Sequence, residues 1–153
     1  MENINPHKDK VHIILAHSYS VYFLFFLTGV LLDIIFKIKI LNFYFLIPLG
    51  SAFILLASIL ILWAQKTSRN LKIENLTVKS FSKGPYSITR SPTHWGLFFL
   101  IFGFGIMANA IFIVIFSIVA FILTKIIYLK HEEEILEKKY GATYMEYKKE
   151  VKL

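Results

Sequence analysis

The 153-residue chain contains no cysteine. That excludes a disulfide scaffold, a thiolate-ligated zinc site and a thiol nucleophile together. Charge is scarce as well: Asp, Glu, Lys and Arg make up 18% of the residues, against about 25% in ordinary globular chains. Acids are the rarer sign, ten against seventeen Lys and Arg. There is no Gly-x-Ser-x-Gly elbow and no phosphate-cradling Gly-x-x-x-x-Gly-Lys loop. The five histidines, His7, His12, His17, His94 and His131, form no paired boxes. His12 and His17 lie five apart and do not share a helix face, so no metal site is expected.

Apolar residues are abundant. Hydrophobic residues make up 56% of the chain, with 15 phenylalanines among them and seven glycines besides. Globular chains hold about 45–50% with glycine included, and one small core cannot bury such an excess. The composition is that of an integral membrane protein, with the lipid bilayer as its first partner. A net charge of +7 in a soluble chain would point to a polyanion. Here the basic residues sit between apolar runs, as in membrane proteins. No folded basic module is left over, so nucleic acid is not expected as a partner.

Residues 16–36 and 44–64 are apolar runs of 21 residues, each about 31 Å long as a helix and able to cross a bilayer. The first run is too long for a signal peptide, and Leu31-Leu32-Asp33 offers no small-residue cleavage site. A third region, Trp95 to Ile127, would form a helix of about 50 Å, too long for one crossing. A division at Met107–Ala110, with a helix start at Ser91-Pro92, yields spans 92–107 and 110–130. One long tilted helix is the alternative. The expected fold is all-α: a single domain, 1–153, forming an integral membrane helical bundle of about four transmembrane helices with a C-terminal amphipathic cytoplasmic segment.

Four spans place the N-terminal segment, the 65–94 loop and the C-terminal tail on one side, with fourteen Lys and Arg. The other side has only Lys37 and Lys39, so the positive-inside rule puts both termini in the cytoplasm. Tyr19, Trp63, Trp95 and Tyr128 would then mark the inner interface. The Asn75-Leu76-Thr77 sequon would face the cytoplasm and stay silent. Asp33, the one acid inside a span, pairs by spacing with Lys37; a proton-coupled transport role is the alternative. Gly50, Ala57 and Ala64 recur every seven residues with Ser51, Ser58 and Gln65 beside them. That small-residue stripe reads as a packing seam, with a pore or substrate path as the other reading.

Two polar stretches flank the last pair of spans and are expected to meet at the cytoplasmic end. Gly84-Pro85-Tyr86-Ser87-Ile88-Thr89-Arg90-Ser91-Pro92-Thr93-His94-Trp95-Gly96 supplies a helix N-terminus and an arginine suited to carboxylate. The stretch from Glu132-Glu133-Glu134 to Tyr147 supplies carboxylates for hydroxyls or an amine. Bland readings exist for each part. Ser91 serves as an N-cap, Arg90 as an anchor to lipid phosphate, and the glutamates as a solvated face. Leu136, Tyr140, Tyr144, Tyr147 and Val151 step by three or four, an amphipathic stripe expected to lie on the membrane and to roof a pocket.

These two stretches resemble the signatures of the isoprenylcysteine carboxyl methyltransferase family, which is similar to bacterial phospholipid N-methyltransferases. The first resembles Gly-Pro-Tyr-x-x-x-Arg-His-Pro-x-Tyr-x-Gly. The second, read from Glu132-Glu133 through Leu136, Tyr140-Gly141 and Tyr144 to Tyr147, resembles the tail pattern Glu-Glu-x-x-Leu-x-x-x-Phe-Gly-x-x-Tyr-x-x-Tyr. Together they cover residues 84–151. The resemblance implies a membrane methyltransferase that uses S-adenosylmethionine, with a lipophilic acceptor such as a prenylated or lipid substrate. It implies cofactor contacts at Tyr86, Ser91, Pro92, His94, Gly96, Glu132 and Glu133, with Arg90 and Glu133 in the catalytic roles. Ser91 stands where the family has His, and His94 where it has Tyr. His94 lies three residues on, on the same face, and is expected to substitute for the missing His. The competing class is a non-enzymatic membrane accessory or transport protein that retains the scaffold.

Overall fold

A computed structural model of the chain describes residues 6–40, 43–69 and 82–151. The Asn75 sequon lies outside them. The elements are α1 (Pro6–Phe36), α2 (Phe43–Arg69), a 3-10 turn (Gly84–Ser87), α3 (Pro92–Met107), α4 (Ile111–Tyr140) and α5 (Ala142–Glu150). The fold is all-helical, with no strand among the described residues. α1, α2 and α4 each contain a segment long and apolar enough to cross a membrane. α3, at 16 residues, measures about 24 Å and is shorter than a hydrocarbon core of about 30 Å. Large apolar side chains such as Leu24, Ile35, Leu62 and Ile126 are more than half exposed, as lipid-facing residues are. α1 begins ten residues before the expected span and α4 runs ten beyond its own.

The long apolar region does divide into two helices. At the junction Asn109 adopts φ 53°, a left-handed conformation that Asn tolerates better than most residues. The Ala110 N–H donates back to the Gly105 carbonyl (2.9 Å), closing α3. Asn109 Oδ1 accepts the Ile40 N–H at 2.7 Å, joining this turn to the segment that follows α1.

The N-cap of α4 is Ala110, which has no side chain able to cap it. Sequence spacing pairs Asp33 with Lys37, but the structure gives the Asp33 carboxylate to α4. Its Oδ1 accepts the Phe112 N–H at 3.1 Å and its Oδ2 the Ile113 N–H at 3.0 Å. An acid from one helix thus satisfies two free amides at the N-terminus of another, where helix dipole and charge agree. α1 packs against α4. Near Asp33 the approach is so close that a Cβ on Gly29 would sit 3.0 Å from Ile113 Cα.

The small-residue stripe of α2 is a packing seam. α2 and α3 share the most extensive helix contact, and Ala57 and Ala64 are fully buried. A Cβ on Gly50 would lie 2.6 Å from the Gly103 carbonyl oxygen, and one on Gly96 2.5 Å from Ile61 Cγ1. Ser51 and Ser58 donate their hydroxyls to the Ile47 and Ile54 carbonyls of their own helix. α3 also packs on α4, while α1 and α2 stand apart across a cleft.

Replacing Asp33 with Ala should lower the melting temperature of the detergent-solubilised protein by the equivalent of about 0.5–2 kcal/mol, the usual cost of a lost N-cap. Asp33→Asn, which keeps an acceptor, should lose less. An unchanged melting temperature for Asp33→Ala would contradict the capping role.

Candidate functional site

The first polar stretch begins with a glycine that the backbone requires. Gly84 has φ +60°, and a Cβ there would lie 2.6 Å from Thr67 Oγ1 and 3.0 Å from Trp63 Nε1 of α2. Pro85 is buried, and its carbonyl accepts the Ile88 and Thr89 N–H groups at 3.1 and 3.2 Å. Thr89 Oγ1 accepts the Ser91 N–H at 3.3 Å. Ser91 does occupy the N-cap position of α3, and its carbonyl accepts the N–H of His94 and Trp95. Its hydroxyl makes no capping bond. Pro92, buried, occupies the first turn, where its missing N–H costs nothing.

The second stretch folds back onto the first. Gly141, at φ +56°, ends α4 and lets α5 reverse direction. Tyr144, Tyr147 and Val151 are then buried together against Tyr86, Leu136 and Tyr140. The Tyr147 hydroxyl donates to the Tyr86 carbonyl oxygen at 2.7 Å. The stripe expected to lie on the membrane therefore turns inward and roofs the Gly-Pro-Tyr turn. Its periodicity continues across a helix break, which spacing alone does not reveal.

Glu133 stands where the two stretches meet. Arg90 Nη1 lies 2.6 Å from its Oε1, and Lys148 Nζ, from α5, lies 2.8 Å from its Oε2. Lys148 also reaches Glu137 Oε1 at 2.8 Å. Among the described residues, Arg90 Nε is buried without a hydrogen bond, while Glu133 Oε1 is met by Arg90 Nη1 as an ion pair. Buried polar atoms left short of partners are costly. A guanidinium with an unused N–H beside a carboxylate whose second cation is a partly exposed lysine suits a ligand that brings both an anionic and a cationic group. The amino-acid moiety of S-adenosylmethionine is such a group, so the residues present fit that cofactor.

The other expected site residues are distributed around this pair. Burial, then the charge of Glu132, raise the Tyr86 hydroxyl above its ordinary range, against hydrogen bonds to Ser68 and Thr93. Tyr86, Arg90, Glu132 and Glu133 thus share one neighbourhood. His94 is buried, with Nε2 3.2 Å from Ser18 Oγ of α1, so its ring holds α1 against α3. Gly96 faces Ile61 and the Ala57 carbonyl in the α2 seam. Beside Thr93 opens the cleft between α1, α2 and α3, about 640 Å³ in volume. Its walls are apolar, with Phe23, Phe26, Ile54, Leu100 and Phe104 among them; Tyr19, Gln65 and Thr93 also line it.

Spacing did not single out Lys148 or Ser18. Lys148 reaches Glu137 only because Gly141 reverses the chain, and Ser18 meets His94 across 76 residues of sequence. The one available signal for Lys148 was its place beside Tyr147, on the edge of the aromatic stripe.

Electrostatics makes this roof sensitive to alkali. Burial, then the charges of Glu133 and Glu132, push the Tyr144 hydroxyl above its ordinary 10.0. Burial, followed by the neighbouring Tyr86, does the same for Tyr147. A group whose folded pKa is raised contributes stability that is complete below the ordinary value and is lost as pH climbs through the raised one. The α5 contact should therefore hold up to about pH 10 and fail above it. In an absorbance titration of phenolate, Tyr144→Phe should remove a late-ionising group. If it removes one that ionises with the ordinary tyrosines, the buried roof is contradicted.

The sequence profile of the Phospholipid methyltransferase family matches residues 45–143. That interval takes in α2, the 3-10 turn, α3, all of α4 and the Gly141 break. No curated protein and no solved structure matches the chain. With well over half of its length matched, and with both polar stretches converging on the Arg90–Glu133 pair, the chain belongs to the phospholipid methyltransferase family.

Proposed function

We propose that the protein transfers a methyl group from S-adenosylmethionine to a lipophilic acceptor that reaches the site from the bilayer. The observation that carries this reading is the buried Arg90–Glu133 pair, with Arg90 Nε left without a hydrogen bond, set at the end of a membrane bundle. When bound, the cofactor supplies a methyl group already made electrophilic by its sulfonium. The protein's task is alignment, which is worth about 7–11 kcal/mol of a barrier when the reacting atoms are held in line.

Arg90 orients a carboxylate, and Glu132 and Glu133 accept from an amine or from hydroxyls. The apolar cleft takes the acceptor's hydrocarbon and leaves its head beside Thr93 and Gln65. An isoprenylcysteine-type carboxylate and a lipid amine are the two acceptor classes in view. The first needs no general base. The match to a phospholipid methyltransferase profile favours the second. Both termini lie in the cytoplasm, because the basic residues of the N-terminal segment, loop and tail gather on one side.

A non-enzymatic accessory or transport role has one observation in its favour: Ser91 stands where the family pattern has His. Incubation of purified protein with methyl-labelled cofactor and a lipid extract from its own source separates the two readings. Label should enter the lipid fraction, and Glu133→Ala should weaken cofactor binding by about 1–3 kcal/mol, the cost of unpairing a buried polar partner. Calorimetry showing no binding by the parent protein would favour the accessory role. Reporter fusions after residue 40 and at the C-terminus should lie on opposite sides of the membrane; the same side for both would overturn the orientation.

A further inference from the structure

We infer that Lys148 is a placeholder cation, sitting on Glu133 where the ammonium of a ligand's amino-acid moiety binds and retiring to Glu137 when that ligand arrives. The inference rests on the methyl-transfer reading above and assigns a role to a residue which that reading leaves unused. Three observations support it.

The first is the asymmetry of the two cations on Glu133. The Glu133 side chain is 9% exposed and Arg90 15%, whereas Lys148 is 39% exposed. A partly exposed lysine ion pair is held weakly and exchanges readily, while the forked guanidinium of Arg90 is pre-organised and largely buried. Of the two, Lys148 is the one that a ligand ammonium can replace.

The second is the second seat. Glu133 and Glu137 are four residues apart on α4, so their carboxylates share one face. Lys148 Nζ lies 2.8 Å from each. Giving up Glu133 therefore does not leave the ammonium unpaired, because Glu137 still holds it. The exchange requires a side-chain movement and no unfolding of α5, which Tyr147 continues to tie to the Tyr86 carbonyl.

The third is the unused capacity next to the exchanged position. Arg90 Nε is buried without a hydrogen bond. A ligand whose ammonium displaces Lys148 brings a carboxylate to this neighbourhood, and Arg90 Nε is available to receive it. Lys148 thus keeps a buried acid neutralised while the site is empty, at the expense of affinity for the ligand. Glu137 sets how readily Lys148 leaves.

Calorimetry on the full chain in detergent tests this with two probes. S-adenosylhomocysteine carries the amino-acid moiety, and 5′-methylthioadenosine lacks it. Lys148→Gln should tighten S-adenosylhomocysteine about fivefold, the most that a partly exposed ion pair withholds. Glu137→Gln, which removes the second seat, should weaken it by about the same factor. Lys148→Arg should behave like the parent, and the affinity for 5′-methylthioadenosine should not change in any variant. A merely structural tie predicts that Lys148→Gln and Glu137→Gln move affinity in the same direction and move both probes. Weaker or unchanged binding of S-adenosylhomocysteine by Lys148→Gln overturns the placeholder role alone. If neither the parent nor Lys148→Gln binds either probe, the methyl-transfer reading fails and the placeholder role fails with it.

Discussion

The Glu133 carboxylate is the point on which the charged end of this bundle depends. Two segments reach it on α4: the residues before α3 through Arg90, and α5 through Lys148. A carboxylate this buried is costly unless its charge is met. The surrounding chain is arranged to meet it. Gly84 permits the tight turn that brings Arg90 in, and Gly141 permits the reversal that brings Lys148 in. Tyr147 locks the reversal by donating to the Tyr86 carbonyl. Removing either glycine's conformational freedom would disturb the ion pair without touching it.

The opposite end of the bundle solves a different problem with the same chemistry. In a hydrocarbon environment every backbone amide needs a partner from within the protein. The α3–α4 junction leaves the first amides of α4 open, and Asp33 of α1 fills two of them. Asn109 takes up a further amide, that of Ile40. Between these polar ends the helices are held by close approach at Gly29, Gly50, Gly96 and Gly103. This is the expected mode where lipid removes the hydrophobic drive for helices to associate. The cleft between α1 and α2 is where that approach is absent, and its apolar walls suit a hydrocarbon chain.

Much of this was legible in the sequence, for identifiable reasons. Apolar run length is a direct consequence of bilayer thickness, so the number of apolar helices and the break near Asn109 are readable, while α1 and α4 each extend about ten residues beyond their apolar runs. The two motif stretches could be expected to meet because an even number of crossings returns the chain to the same side. Side-chain pairings were less legible. Asp33 has a plausible partner four residues away in Lys37, yet its carboxylate goes to amides 79 and 80 residues distant. The stripe from Leu136 to Val151 reads as one amphipathic surface, and only the positive φ of Gly141 folds it onto Tyr86 rather than onto lipid. His94, three residues from Ser91 on the same helix face, reads as a substitute for the missing His, whereas its hydrogen bond depends on where α1 passes. Pairings of this kind are set by helix packing, which local spacing does not encode.

The central claim is that the convergence of the two stretches on Glu133 forms the methyl-donor site. Ultraviolet crosslinking of methyl-labelled S-adenosylmethionine to the membrane-embedded protein, followed by peptide mapping, tests it directly. The account predicts labelling that S-adenosylhomocysteine displaces and that falls on peptides spanning residues 84–96 and 132–147. Displaceable labelling confined to α1 or to the first half of α2, or no displaceable labelling at all, would contradict it.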